Sequence, residues 1–195
     1  MPVYIAMLRG INVSGQKIIK MESLRASLAS LGFEEVRTYI QSGNIVFKTV
    51  TTVPAGLAGK IANTILDDFG FAVPVLVRTK EELAGVIQAN PLLKWKGIDE
   101  AKLHVTFLSA AAPKRSEEIL KSLARQSELF AVGGWEIYLH CPDGYGDTKL
   151  SNNAIEKALA VPATTRNWKT VNILSRNDSV KSASLVDGMR VNSGA

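Results

Sequence analysis

The 195-residue chain has a single cysteine, Cys141, so no intrachain disulfide can form. That excludes a disulfide-stapled secreted scaffold and fits a reducing, cytoplasmic setting. No run of about 18 apolar residues occurs, so no segment is expected to span a membrane. The first nine residues are apolar too briefly for a signal peptide, and they lack a basic start and a small-residue cleavage site. Histidine is nearly absent: His104 and His140 are the only two. A metal centre needs three or four ligands at workable spacing. Beside Cys141 the nearby additions are Asp143 and Asp147, in a glycine-rich loop. The two histidines, on neighbouring strands and both opposite the apolar side chains, are expected to lie close as ordinary surface or interface groups. No metal and no cofactor are expected. The chain has no G-x-S-x-G elbow, and no serine or cysteine has a base partner visible in the sequence. Composition therefore names no reaction.

What is present is ordinary globular material: 46% hydrophobic and 21% charged residues. The length suits one domain or two small ones. The net charge of +5 is unevenly spread. Residues 1–33 carry Arg9, Lys17, Lys20 and Arg25 against Glu22. Residues 149–176 carry Lys149, Lys157, Arg166, Lys169 and Arg176 against Glu156. The rest of the chain is slightly acidic. Two basic segments on such a body suggest an anionic partner if the fold joins them, and solvated surface charge if it does not.

Residues 3–9 predict a strand, and residues 10–18 a loop. Met21, Leu24, Leu28 and Leu31 recur at helical spacing, with Gly32 as a stop signal. Val36, Thr38 and Ile40 alternate with Arg37, Tyr39 and Gln41; Ser42-Gly43-Asn44 then turns the chain back into Ile45-Val46-Phe47. Pro54 suits a helix start, Leu57, Ile61, Ile65 and Phe69 its buried stripe, and Gly70 its end. Residues 73–77 predict a further strand, which Pro74 places at an edge. The order β-α-β-β-α-β is the ferredoxin-like, split βαβ plan with a mainly antiparallel sheet.

The second half is a related α+β unit. A short helix over 79–89 is capped by Thr79 with Glu82 three residues on, and residues 91–101 read as a linker. A strand with Leu103, Val105 and Phe107, a helix over 113–126, a hairpin through Gly133-Gly134 and a helix with Ile155 and Leu159 follow. A last helix carrying Trp168, Val171 and Leu174 stands where a fourth strand would be. The fold class is α+β, with halves at 1–90 and 91–177 and a polar, flexible tail at 178–195.

Four places invite chemistry. Gly10 to Lys17 holds two glycines and a lysine between strand and helix. A P-loop needs the lysine directly after the second glycine; here Gln16 intervenes and Ile18 replaces the hydroxyl, leaving at most a looser anion nest. Thr164 or Thr165 reads as an N-cap, which puts Arg166 and Lys169 in a first turn beside the positive helix end. With no acid between Glu156 and Asp178, that helix start is the best single anion site. Tyr4 lies in a strand resembling the first strand of RNA-recognition domains, but the companion aromatic motif is absent. Tyr4 is instead expected to pack against the second half. In the split βαβ plan the first strand ends near the start of the third, so Arg9, Asn12 and Lys17 share an edge with Ser42 and Asn44.

The segments from Tyr4 to Val13, Val36 to Phe47 and Thr165 to Val171, taken together, resemble a widespread bacterial family classed as a domain of unknown function, family 1697. Its members carry YIALLRGINVGG-like, VRTYIQSGNVVF-like and TRNWNTV-like stretches in this order. Ser14 stands where glycine is usual and Lys169 where asparagine is common. The resemblance implies an α+β fold and supplies no substrate, cofactor or catalytic residue.

The residues themselves point to a protein binding a small anionic ligand, such as a nucleotide or phosphorylated metabolite. Arg9, Lys17, Arg166 and Lys169 would supply charge; Asn12, Ser42, Asn44 and Asn167 would complete the site. The alternatives are a nucleic-acid or protein interaction module using the sheet face, and a non-catalytic structural or oligomeric protein. No membrane partner is expected.

Overall fold

The computed structural model describes residues 1–50 and 53–176. The segment expected to form a tail, 178–195, lies outside the described residues. Two four-stranded sheets organise the described residues. The first contains β1 (Val3–Leu8), β2 (Glu34–Tyr39), β3 (Asn44–Lys48) and β4 (Val75–Thr79), in the order β2-β3-β1-β4. Its helices are α1 (Met21–Ser30) and α2 (Pro54–Phe69). The second contains β5 (Leu103–Leu108), β6 (Leu129–Val132), β7 (Glu136–His140) and β8 (Ala163–Asn167), in the order β6-β7-β5-β8. Its helices are α4 (Ser116–Leu123) and α5 (Asn152–Leu159). Every strand pairing is antiparallel. Between the sheets lie α3 (Lys80–Ala89) and α6 (Trp168–Arg176).

Both halves follow one split βαβ plan, and this corrects the expected end of the second. Residues 163–167 form the strand β8 rather than the start of a helix. Two adjacent threonines favour a pleated edge, and β8 pairs with β5 from Leu108↔Ala163 to His104↔Asn167. Arg166 is therefore a strand residue. Asn167 takes over the cap: its Oδ1 accepts the Thr170 N–H at 2.8 Å.

Local signals set the other boundaries. Gly70 ends α2 at φ 78°, in the left-handed region glycine tolerates. Thr79 and Glu82 form a reciprocal capping box at the start of α3. The linker contains two 3₁₀ turns, Pro91–Lys94 and Glu100–Lys102.

Strand β1 is apolar throughout because it is buried on both faces. Tyr4, Ala6 and Leu8 pack under α1 and α2, while Ile5 and Met7 face the second half. This corrects the placement of Tyr4: it stacks on Phe47 at 5.8 Å inside the first-half core. The sheet face considered for nucleic acid is likewise covered. Ile5 and Met7 meet Val105, Phe107 and Tyr138, with Leu83 of α3 and Trp168 of α6 filling between. A third core, under α4 and α5, gathers Ile137, Leu139, Ile155 and Leu159.

The histidines do not meet. Register pairs Leu103 with His140 and His104 with Leu139, so the apolar rows of β5 and β7 lie on opposite faces, and their histidines with them. His104 stacks on Tyr145 at 4.7 Å, whereas His140 Nε2 accepts the Asp99 N–H at 3.3 Å. No described helix is long and apolar enough to cross a membrane.

Candidate functional site

The polar edge anticipated from the sequence is where the halves lock together. Arg166 is 9% exposed and uses all five of its N–H donors. Its Nε donates to Asn44 Oδ1; Nη1 donates to Thr164 Oγ1 and the Thr165 carbonyl, both at 2.8 Å. Nη2 donates to the Leu8 carbonyl at 2.6 Å and the Ser42 carbonyl at 3.4 Å. Each acceptor is neutral. Burial pushes the Arg166 pKa down to about 10, so it stays charged at neutral pH.

Asn44 is fully buried and donates to the Tyr39 carbonyl and Ser42 Oγ. Asn12 ties the loop after β1 to the hairpin through the Ile19 backbone and the Gln41 carbonyl. Arg9 crosses to α5, pairing with Glu156 and donating to Asn153 Oδ1. Hence Arg9, Asn12, Ser42, Asn44 and Arg166 converge, but as structural mortar. Lys17 Nζ donates to the Ala72 carbonyl at 2.7 Å. Asn167 is a helix cap, and Lys169 is exposed on α6.

The opposite edge is built on the same plan and left open. Arg78 is the fourth residue of β4, as Arg166 is of β8. Arg78 pairs with the third residue of β1, Ile5, as Arg166 pairs with the third of β5, Val105. Arg166 reaches the carbonyl of Leu8, the last residue of β1; Arg78 reaches that of Leu108, the last of β5, at 2.6 Å. Each also bonds the carbonyl one residue before itself. The halves thus exchange arginines in a pseudo-twofold handshake.

The difference lies at the next position. Asn44, first in β3, closes on Arg166. Its counterpart Glu136, first in β7, forms neither a hydrogen bond nor an ion pair with Arg78 among the described residues. The Arg78 Nε–H and one N–H on each terminal nitrogen have no acceptor there. Beside them opens a cavity of about 670 Å³, lined by α2, β4, α3 and the Trp135–Glu136 segment. Small residues make the space: Ala55 and Ala58 on α2, Gly85 and Ala89 on α3, and Ser109. A Cβ added at Gly85 would meet nothing within 4 Å.

The charges here are under-compensated. Burial lowers the Arg78 pKa, while Glu82 and Glu136 act in the opposite direction from beyond pairing distance. The guanidinium lies 5.7 Å from the centre of the half-exposed Trp135 ring. One Glu82 oxygen caps α3, and Glu136 Oε1 accepts from the Tyr138 hydroxyl at 3.4 Å. Burial pushes the Tyr138 phenol upward, as it does the Cys141 thiol, so both stay protonated at neutral pH. No group of three or more His, Cys, Asp and Glu side chains among the described residues is placed to hold a metal ion.

Residues 1–138 match the family described as "Protein of unknown function (DUF1697)". The chain belongs to this family. A solved structure similar to this DUF1697 chain is that of the conserved bacterial protein SP0830 from Streptococcus pneumoniae. The two share 26% identity and a TM-score of 0.68, over 90% of this chain and 97% of that one. A search of curated proteins returns no match.

Sequence reading passed over Arg78, Trp135 and Glu136. A signal existed in the small residues Ala55, Ala58, Gly85 and Ala89, spaced three and four apart on their helices. Nothing in the sequence says that these two stripes, on separate helices, border one space.

Proposed function

We propose that this protein binds a small amphipathic anion in the cavity beside β4, with Arg78 holding the anionic group. The observation that carries this reading is a half-buried arginine with three unpartnered N–H donors, facing a mostly apolar space of ligand size. A guanidinium fork suits a carboxylate or phosphate, and the wall of Val75, Val77 and Val86 suits an apolar body. The basic edge on the other side is the poorer place, because Arg166 has no donor left and Arg9 is already paired with Glu156.

Thermal-shift titration with 3-phenylpropionate and phenyl phosphate tests the reading, since a ligand of the native state raises the melting midpoint. Gly85→Leu fills the space without touching the charges, and Arg78→Gln removes the fork. Both are expected to fold and to abolish the shift. An undiminished shift in Gly85→Leu would place the ligand elsewhere.

A further inference from the structure

We infer that the cavity selects zwitterions, small molecules carrying an ammonium as well as an anionic group, and that Glu136 is the residue that reads the ammonium. This rests on the anion-binding reading above and narrows it to the chemistry of a hydrophobic amino acid or a short peptide. The argument comes from the two halves of the handshake. On the closed side, Arg166 Nε donates directly to Asn44 Oδ1. On the open side the equivalent pair is Arg78 and Glu136, and it carries opposite full charges. Such a pair would be expected to close more firmly than an arginine and an amide. It does not close. Both groups border the cavity, more than 4 Å apart, each with hydrogen-bonding capacity unused.

An inserted zwitterion satisfies both sides at once. Its carboxylate takes the free N–H donors of Arg78, and its ammonium donates to the Glu136 carboxylate. The single Tyr138 hydroxyl proton is shared between the Val86 carbonyl at 3.0 Å and Glu136 Oε1 at 3.4 Å, so it only partly satisfies that carboxylate. Glu82 adds a second negative charge on the same wall. The lining thus carries two carboxylates against one guanidinium, so a ligand with only an anionic group would bring negative charge to an already negative rim and leave Glu136 desolvated without a partner. The indole of Trp135, beside Arg78, offers a flat apolar surface for the ligand's side chain.

The test compares four probes on the full chain by isothermal titration calorimetry: phenylalanine, the dipeptide Leu-Leu, 3-phenylpropionate and phenethylamine. Native protein is expected to bind phenylalanine or Leu-Leu at least tenfold more tightly than 3-phenylpropionate. Glu136→Gln keeps a polar group for Tyr138 and is expected to remove that preference while retaining 3-phenylpropionate. Arg78→Gln is expected to lose both. Equal binding of 3-phenylpropionate and phenylalanine by native protein would overturn the zwitterion inference and leave the anion reading standing. A preference that survives in Glu136→Gln would overturn the role of Glu136. Binding of none of the probes would overturn both readings together.

Discussion

Arg166 and Arg78 occupy equivalent places in two halves built alike, yet one has every donor bonded and the other keeps three free among the described residues. Arg166 meets five neutral oxygens and has nothing left to offer. Arg78 meets two carbonyls, lies by Trp135, and faces open space. Position and residue type are the same. The neighbours decide the outcome: Asn44 is fully buried and closes one site, whereas Gly85, Ala89 and Ala58 leave room at the other. The lesson is that a buried arginine should be judged by its unused donors rather than by its charge.

The sharpest way to break this comparison is to remove the fastener. Arg166→Met would leave the Leu8 carbonyl and Asn44 Oδ1 buried without donors. A loss of about 3 kcal/mol is expected, because each unsatisfied buried group costs about 1–3 kcal/mol. Urea unfolding would measure it, and a loss under about 1 kcal/mol would mean that Arg166 is not the lock described.

A buried anion extends the comparison. Glu128 is 7% exposed and accepts the backbone N–H groups of Arg125 at 2.8 Å and Lys149 at 3.0 Å. Burial works to raise its pKa, but these bonds and one from Thr148 outweigh it, and the value falls below that of an ordinary glutamate. A carboxyl whose pKa is lower folded than unfolded stabilises the protein above its unfolded value. That contribution disappears as pH falls through the folded value. The stability gap between native protein and Glu128→Gln should therefore be widest near pH 7 and shrink as the solution is acidified below the usual glutamate range. A gap independent of pH would remove the carboxylate from the account.

Gly85→Ala should raise stability by about 0.5–1 kcal/mol, since alanine is the better helix former and its Cβ meets open space. A loss instead would mean that the cavity wall is tighter than described. Smallest of all, Arg9→Gln should cost about 0.5 kcal/mol, as expected for a partly exposed ion pair with Glu156. Thermal denaturation in low and high salt would separate its Coulombic part.

Much of the fold is legible along the chain. The stripe Leu57, Ile61, Ile65 reads as a helix face, and all three are fully buried on α2. The Thr79–Glu82 cap and the Ser42-Gly43-Asn44 turn are local signals, and both stand where they were expected. Strand β8 is not legible locally, because Thr164 and Thr165 suit a cap and a strand equally and only pairing with β5 distinguishes them. The polar edge was legible as a meeting place of Arg9, Asn12, Ser42 and Asn44. Its character was not, because a sequence shows donors without showing whether acceptors already surround them.

By itself, the sequence determined the local elements: period, caps and turns act within a few residues, and the α+β class follows from their order. Tertiary structure alone decided that one arginine would be saturated and its counterpart left with free donors. That outcome depends on carbonyls, small side chains and charges brought from both halves of the chain, and on which of them happen to face the same few ångströms of space.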